Sequence, residues 1–180
     1  MIITGILVMM AFAVGTWVAA DPVRVEEVKR LISSPGGLLA LFVINVVSSA
    51  TLILPLPGLV LTPLAATVAD PLLVGLIAGT GQTLGELTGY LAGYSGRKAL
   101  GMDARTQRMT NLMRRWGAAI LFVLALIPNP FFDVAGIIAG ATRMPLRLYL
   151  LAAGSGKILR NIALAYGVTL GIDWMFGVLR

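Results

Sequence analysis

Hydrophobic positions in this chain neither alternate nor mark one helical face. They fill long uncharged runs, from Met1 to Ala20, Leu31 to Ala69, Pro71 to Gly85 and Trp116 to Phe132. A helix that crosses a bilayer needs about 20 consecutive apolar residues, so runs of this kind predict helices buried in lipid. The first run, Met1 to Ala20, offers small residues in "VAAD" for signal-peptide cleavage. It lacks a basic leader, however, and its apolar part is too long, so it reads as a retained first transmembrane helix. The segment that follows to Arg30, "DPVRVEEVKR", mixes acids and bases as a solvated surface helix does, which makes residues 1–30 one span plus a polar connector.

Residues 31–180 then form a membrane domain built on two interrupted runs. "PLPG" at Pro55 to Gly58 breaks the first, because proline removes a backbone donor and clashes with the preceding turn. The helix from about Gly37 must stop near Leu54, and the eleven residues Leu59 to Ala69 are about 16 Å of helix, half a bilayer core. A half-span has to turn back, which predicts a re-entrant hairpin over residues 37–69. "LIPNPFFDVAGIIAGATRMP" repeats the device: Trp116 to Ile127, a break at Pro128, Asn129 and Pro130, then Asp133 to Thr142, giving a second hairpin over residues 116–142. Crossing helices over residues 71–95 and 146–172 follow the hairpins. The expected fold is therefore an all-α integral membrane protein: two re-entrant hairpins in an inverted repeat plus transmembrane helices.

Composition agrees, since 58% of the 180 residues are hydrophobic, 12% are charged and the mean hydropathy is +0.91. No ordinary soluble domain has that balance. The chain has neither cysteine nor histidine, which leaves no parts for thiol or serine-histidine catalysis and no histidine metal ligands; no enzyme, metal or cofactor is expected. The pI of about 10.3 points to no nucleic acid, because the basic excess collects on one membrane face. With each hairpin returning to its own side, that face receives Arg97, Lys98, Arg105, Arg108, Arg114, Arg115, Arg143 and Arg147 against Asp103 alone. The positive-inside rule then places the N-terminus in the cytoplasm and the C-terminus outside, and the expected location is the plasma membrane of a prokaryote. The stretch 97–115, with Leu100, Met109, Leu112 and Met113 among its cations, reads as a basic amphipathic helix that lies on anionic headgroups or sets topology.

Candidate chemistry comes from the charges that remain inside. P-x-P, a proline fourteen or fifteen residues later (Pro71, Pro145) and an ionisable residue fifteen beyond that (Glu86, Arg160) occur in both halves. The two copies start from opposite faces, so a site is expected near the midplane where they meet. Glu86 lies about 22 Å along its helix from Pro71, and Lys157 and Arg160 about 15 and 20 Å from Arg147, all within the hydrocarbon layer. With Asp133 at the second break they make a balanced quartet, in which Lys157 or Arg160 neutralises Asp133. Asn129 and Asn161 add polar groups beside it.

"GQTLGELTGYLAGYSGRKAL", followed by a basic stretch and "IPNPFFDVAGIIAGATRMPLRLYLLAAGSGKILRNIALAYG", resembles the VTT domain of the DedA (SNARE-associated Golgi protein) superfamily, especially its small YqaA-like branch, over roughly residues 38–171. The resemblance implies facing re-entrant hairpins and movement of phospholipids or polyprenyl-phosphate carriers between leaflets by a flippase or scramblase, in some members with proton dependence. Its partners would be lipid phosphate headgroups and protons. It also implies that Glu86, Asp133, Lys157 and Arg160 form the transport site. Many members carry an acid after the first proline-glycine, where this chain has Leu59, and arginines at the second, where it has "ALIPNPFFD". The alternative function is a non-transporting scaffold whose quartet is an internal lock. The small-residue faces would also permit self-association.

Overall fold

The computed structural model describes residues 17, 20–32, 34–50, 56–96, 104–127 and 131–178. Most of the expected first span, and the break residues Pro55, Pro128, Asn129 and Pro130, lie outside the described residues. The described elements are all helical: α1 Pro22–Ile32, α2 Pro35–Ala50, α3 Leu56–Ala66, α4 Pro71–Gly85, α5 Leu87–Gly96, α6 Ala104–Leu126, α7 Phe131–Ala141 and α8 Leu146–Val178. Pro57 falls in the first turn of α3, where a missing N–H costs little.

A polar cap followed by proline starts three of these helices. Asp21 accepts from the Val23 N–H at 2.9 Å, Ser34 from Gly37 at 3.0 Å, and Asp70 from Leu73 at 2.8 Å. Each cap satisfies a donor that the first turn leaves orphaned, and the proline behind it is already set to helical φ. Ser34 explains why α2 begins at Pro35 rather than at the expected Gly37.

Close contacts at glycines fix the directions of the helices. A Cβ at Gly81 would lie 3.1 Å from the Asn45 Cβ, and one at Gly85 would lie 2.7 Å from the Ser49 Cβ. Both sequence numbers rise together, so α2 and α4 run parallel and α3 must run back between them. Gly75 faces Ile162 and Gly79 faces Ile158, where an added Cβ would stand 2.5 Å from the Ile158 Cα, so α4 and α8 are antiparallel. Gly89 approaches Asp133 and Gly140 meets Tyr94, so α5 and α7 run parallel. Each broken unit packs its first arm on its own long helix, α2 on α4 and α6 on α8. The second arm α7 packs chiefly on α5 of the other unit, whereas α3 lies against α2 and α4 of its own unit as well as against α8.

Three expectations need correction. The crossing helix expected over 71–95 is divided at Glu86, although the Glu86 N–H still donates to the Gln82 carbonyl at 3.1 Å and the Tyr90 N–H to the Glu86 carbonyl at 3.3 Å. The buried Tyr149 hydroxyl also donates to the Glu86 carbonyl, at 3.2 Å, so that oxygen serves two donors where the helix is interrupted. The basic stretch and the first arm of the second hairpin are not separate, for one helix, α6, runs from Ala104 to Leu126. The last helix extends to Val178, beyond the expected 172.

Among the described residues no helix is long and apolar enough to cross a membrane by itself. The long apolar stretches are cut at Glu86 or carry Lys157 and Arg160 at mid-length. Two apolar clusters flank that polar level. Tyr90, Leu121, Phe132, Tyr149 and Ala153 belong to one, and Leu41, Ala65, Ala66, Val74 and Ala165 form the other. Along α4–α5 and along α8, the polar residues lie between the two.

Candidate functional site

The polar level exists because α4 and α8 approach within glycine distance, which brings their facing side chains into register. Gln82 and Glu86, one turn apart on α4–α5, face Asn161 and Lys157, one turn apart on the antiparallel α8. Side chains four apart on a helix share a face, so the register makes two stacked levels.

At the first level Lys157 Nζ donates to Glu86 Oε1 at 2.8 Å, with the two side chains only 5% and 8% exposed. The ammonium also stands 4.4 Å from the centroid of the Phe132 ring, a cation–π contact. Asp133, in the first turn of α7, is close enough to act electrostatically on both Glu86 and Lys157. Of the two carboxyl groups, only that of Glu86 pairs with the ammonium.

The second level has no acid in contact. Arg160 Nη2 donates to Gln82 Oε1, which also accepts from Asn161 Nδ2 at 2.9 Å. Gln82 Nε2 donates to Asn161 Oδ1 at 3.3 Å and to Asn45 Oδ1 at 2.8 Å. Asn45 Nδ2 extends the network across α2 to the Leu41 carbonyl at 2.9 Å and to Thr62 Oγ1 on α3 at 3.3 Å. Arg160 Nε is buried and has no partner. A buried donor left unmade costs about 1–3 kcal/mol, more on a charged group, so this guanidinium is only partly satisfied.

Glu86, Asp133, Lys157, Arg160 and Asn161 are thus brought to one polar region, while Asn129 lies outside the described residues. The expected quartet is not a closed ring of charge. Glu86 takes Lys157, and Arg160 donates to an amide rather than to Asp133, because the α4–α8 register sets Gln82, not an acid, opposite it. Asn45, Thr62 and Gln82 were not anticipated from the sequence. Asn45 and Gln82 carry amides within uncharged helical stretches, and that is the signal that would have found them, since a buried amide without partners is expensive.

Residues 56–170 match the VTT domain, and the chain belongs to that family. It is 31% identical over 117 residues to "Vacuole membrane protein KMS1" of Arabidopsis thaliana, an alignment that covers 53% of this chain and 28% of that protein. The chain thus spans under a third of that relative's length. No solved structure matches it.

Proposed function

We propose that the chain is a membrane-embedded lipid transporter, a flippase or scramblase. It would pass the phosphate headgroup of a phospholipid or polyprenyl phosphate through the polar level between the two broken units. The observation that carries this reading is Arg160: a guanidinium in the interior, bonded to neutral amides, with one N–H unpartnered. A planar, permanently charged fork of donors suits a phosphate oxygen pair, and no carboxylate among the described residues takes it up by ion pairing.

Membrane embedding is supported by the family, by the relative's name as a vacuole membrane protein, and by outward apolar faces such as Leu39, Val43 and Val47 on α2. α4 and α5 follow one another from Pro71 to Gly96, with hydrogen bonds of Glu86 bridging the interruption, and together they amount to about 39 Å of helix. That exceeds a hydrocarbon core of about 30 Å. Gln82 and Glu86 face α8 and the exposed Thr80 hydroxyl is satisfied by carbonyls of its own helix, so lipid need not solvate them. In this reading the basic end lies in the cytoplasm of a prokaryotic cell, and Glu86 and Asp133 are the groups through which protons would couple.

The second reading, a scaffold with an internal lock, is favoured by one feature, the buried and mutually satisfied Lys157–Glu86 pair. The deciding experiment follows labelled phospholipids and polyprenyl phosphate across the leaflets of liposomes holding the purified chain. Accelerated exchange of either lipid is expected. Exchange no faster than in empty liposomes, with and without a proton gradient, rejects transport in favour of the scaffold.

A further inference from the structure

We propose that the corner formed by Tyr94, Arg143 and Arg147 is a second lipid site, which holds the phosphate of an anionic headgroup at the membrane surface, apart from the central polar level. The inference rests on the membrane reading above, though not on transport.

Arg143 is the residue that points to it. It sits just past the end of α7 with φ 56°. The Arg143 N–H donates to the Gly140 carbonyl and the Met144 N–H to the Ala139 carbonyl, each at 3.0 Å. This pair of bonds closes a helix end where glycine is the usual residue, because an L side chain resists the left-handed backbone. An arginine kept there is explained by what its side chain does. Its guanidinium stands 5.8 Å from the centroid of the Tyr94 ring, and Tyr94 stacks at 6.3 Å on Tyr90. The Tyr90 hydroxyl is in turn tied to the Met144 carbonyl at 2.6 Å. The aromatic pair and the turn therefore hold the cation in place.

Arg147 is a second cation in an unfavourable position, in the first turn of α8, where the helix dipole disfavours positive charge. Both arginines are exposed, and among the described residues neither enters a salt bridge. The neighbouring helix carries exposed apolar side chains that an acyl chain could cover. Met113 and Met144 both border Gly117, which brings α6 beside this turn. From there α6 presents Leu112, 53% exposed, and Trp116, 54% exposed. The Arg115 guanidinium lies 5.8 Å from the Trp116 ring centroid. Exposed cations on the turn, with an exposed indole and leucine on the helix beside that turn, match a ligand that carries phosphate and acyl chain together, at the depth where tryptophan and arginine collect in membrane proteins. Free phosphate would leave the apolar part unused.

The test uses the full chain with Trp17→Phe and Trp174→Phe, so that Trp116 alone reports. The protein is reconstituted into vesicles of equal phosphatidylglycerol and phosphatidylcholine, with bromine on the acyl chains of one lipid or the other. Stronger quenching is expected when phosphatidylglycerol carries the bromine. Arg143→Gly should abolish that preference while raising the unfolding midpoint, because glycine relieves the left-handed backbone. Equal quenching by the two lipids, or a preference that survives Arg143→Gly, overturns the site. Quenching by neither lipid rejects membrane embedding itself, and the site with it.

Discussion

Lys157 and Arg160 lie three residues apart on α8, face the same neighbour and are both held inside, yet they are answered differently. Lys157 has a carboxylate at 2.8 Å, an aromatic face and a second acid nearby. Arg160 has a glutamine oxygen and an unpartnered N–H. A buried cation with its own counter-ion is finished chemically and can serve to hold two helices together. One that meets only amides keeps most of its field available to an anion that is not part of the chain. The contrast assigns phosphate binding to the Gln82 level, and to the Glu86 level the joining of the helices together with any proton exchange.

The most severe way to break this division is to remove a partner at the Glu86 level. Lys157→Met strands a buried carboxylate, which should lower stability by about 3–5 kcal/mol in denaturant unfolding in detergent. Adding Glu86→Met should restore most of the loss, because a well-packed apolar pair often replaces a buried ion pair without cost. If Lys157→Met proves mild, the Glu86 level is not what holds the helices.

Next in size is the spacing on which both levels depend. Gly79→Ala sets a Cβ 2.5 Å from the Ile158 Cα and should cost about 1–3 kcal/mol as the helices are forced apart, with transport falling as well. Gly167→Ala, on α8 and with nothing within 4 Å, should be neutral or should stabilise by up to about 1 kcal/mol. The same unfolding assay reads both. Equal effects would mean that the α4–α8 approach is not tight.

The smallest change is expected at the edge of the network. Thr62 Oγ1 meets Asn45 only at 3.3 and 3.4 Å, so Thr62→Val should cost no more than about 1 kcal/mol and leave transport intact. A large loss of transport would extend the ligand level to α3.

How far these levels could be read from sequence differs between them. Glu86 and Lys157 announce themselves as charges at mid-depth of apolar helices, and the proline breaks explain why the chain has room for them. The choice of partners could not be read. It depends on the antiparallel register of α4 and α8, which is set by Gly75 and Gly79 against Ile162 and Ile158. A slip of one turn would exchange Gln82 for Glu86 opposite Arg160, with no change in hydropathy. The interruption at Glu86 was also hidden, because it involves a hydroxyl that arrives from Tyr149, 63 residues away. The merging of the basic stretch into α6 is not legible in the sequence because the uncharged run starts after Arg114 and Arg115, while the helix passes through them unbroken.

The central claim is that Arg160 is held ready for phosphate rather than for the fold, and Arg160→Lys tests it most directly. Lysine keeps the charge and loses the fork. Lipid exchange in liposomes and the unfolding midpoint in detergent are measured on the same preparation. Loss of one charge-assisted hydrogen bond of about 1.5–3 kcal/mol should slow exchange by about tenfold or more, while the midpoint stays near that of the unaltered protein. If exchange and stability fall in proportion, or if exchange is unchanged, Arg160 is a structural cation like Lys157 and the division between the two levels is wrong.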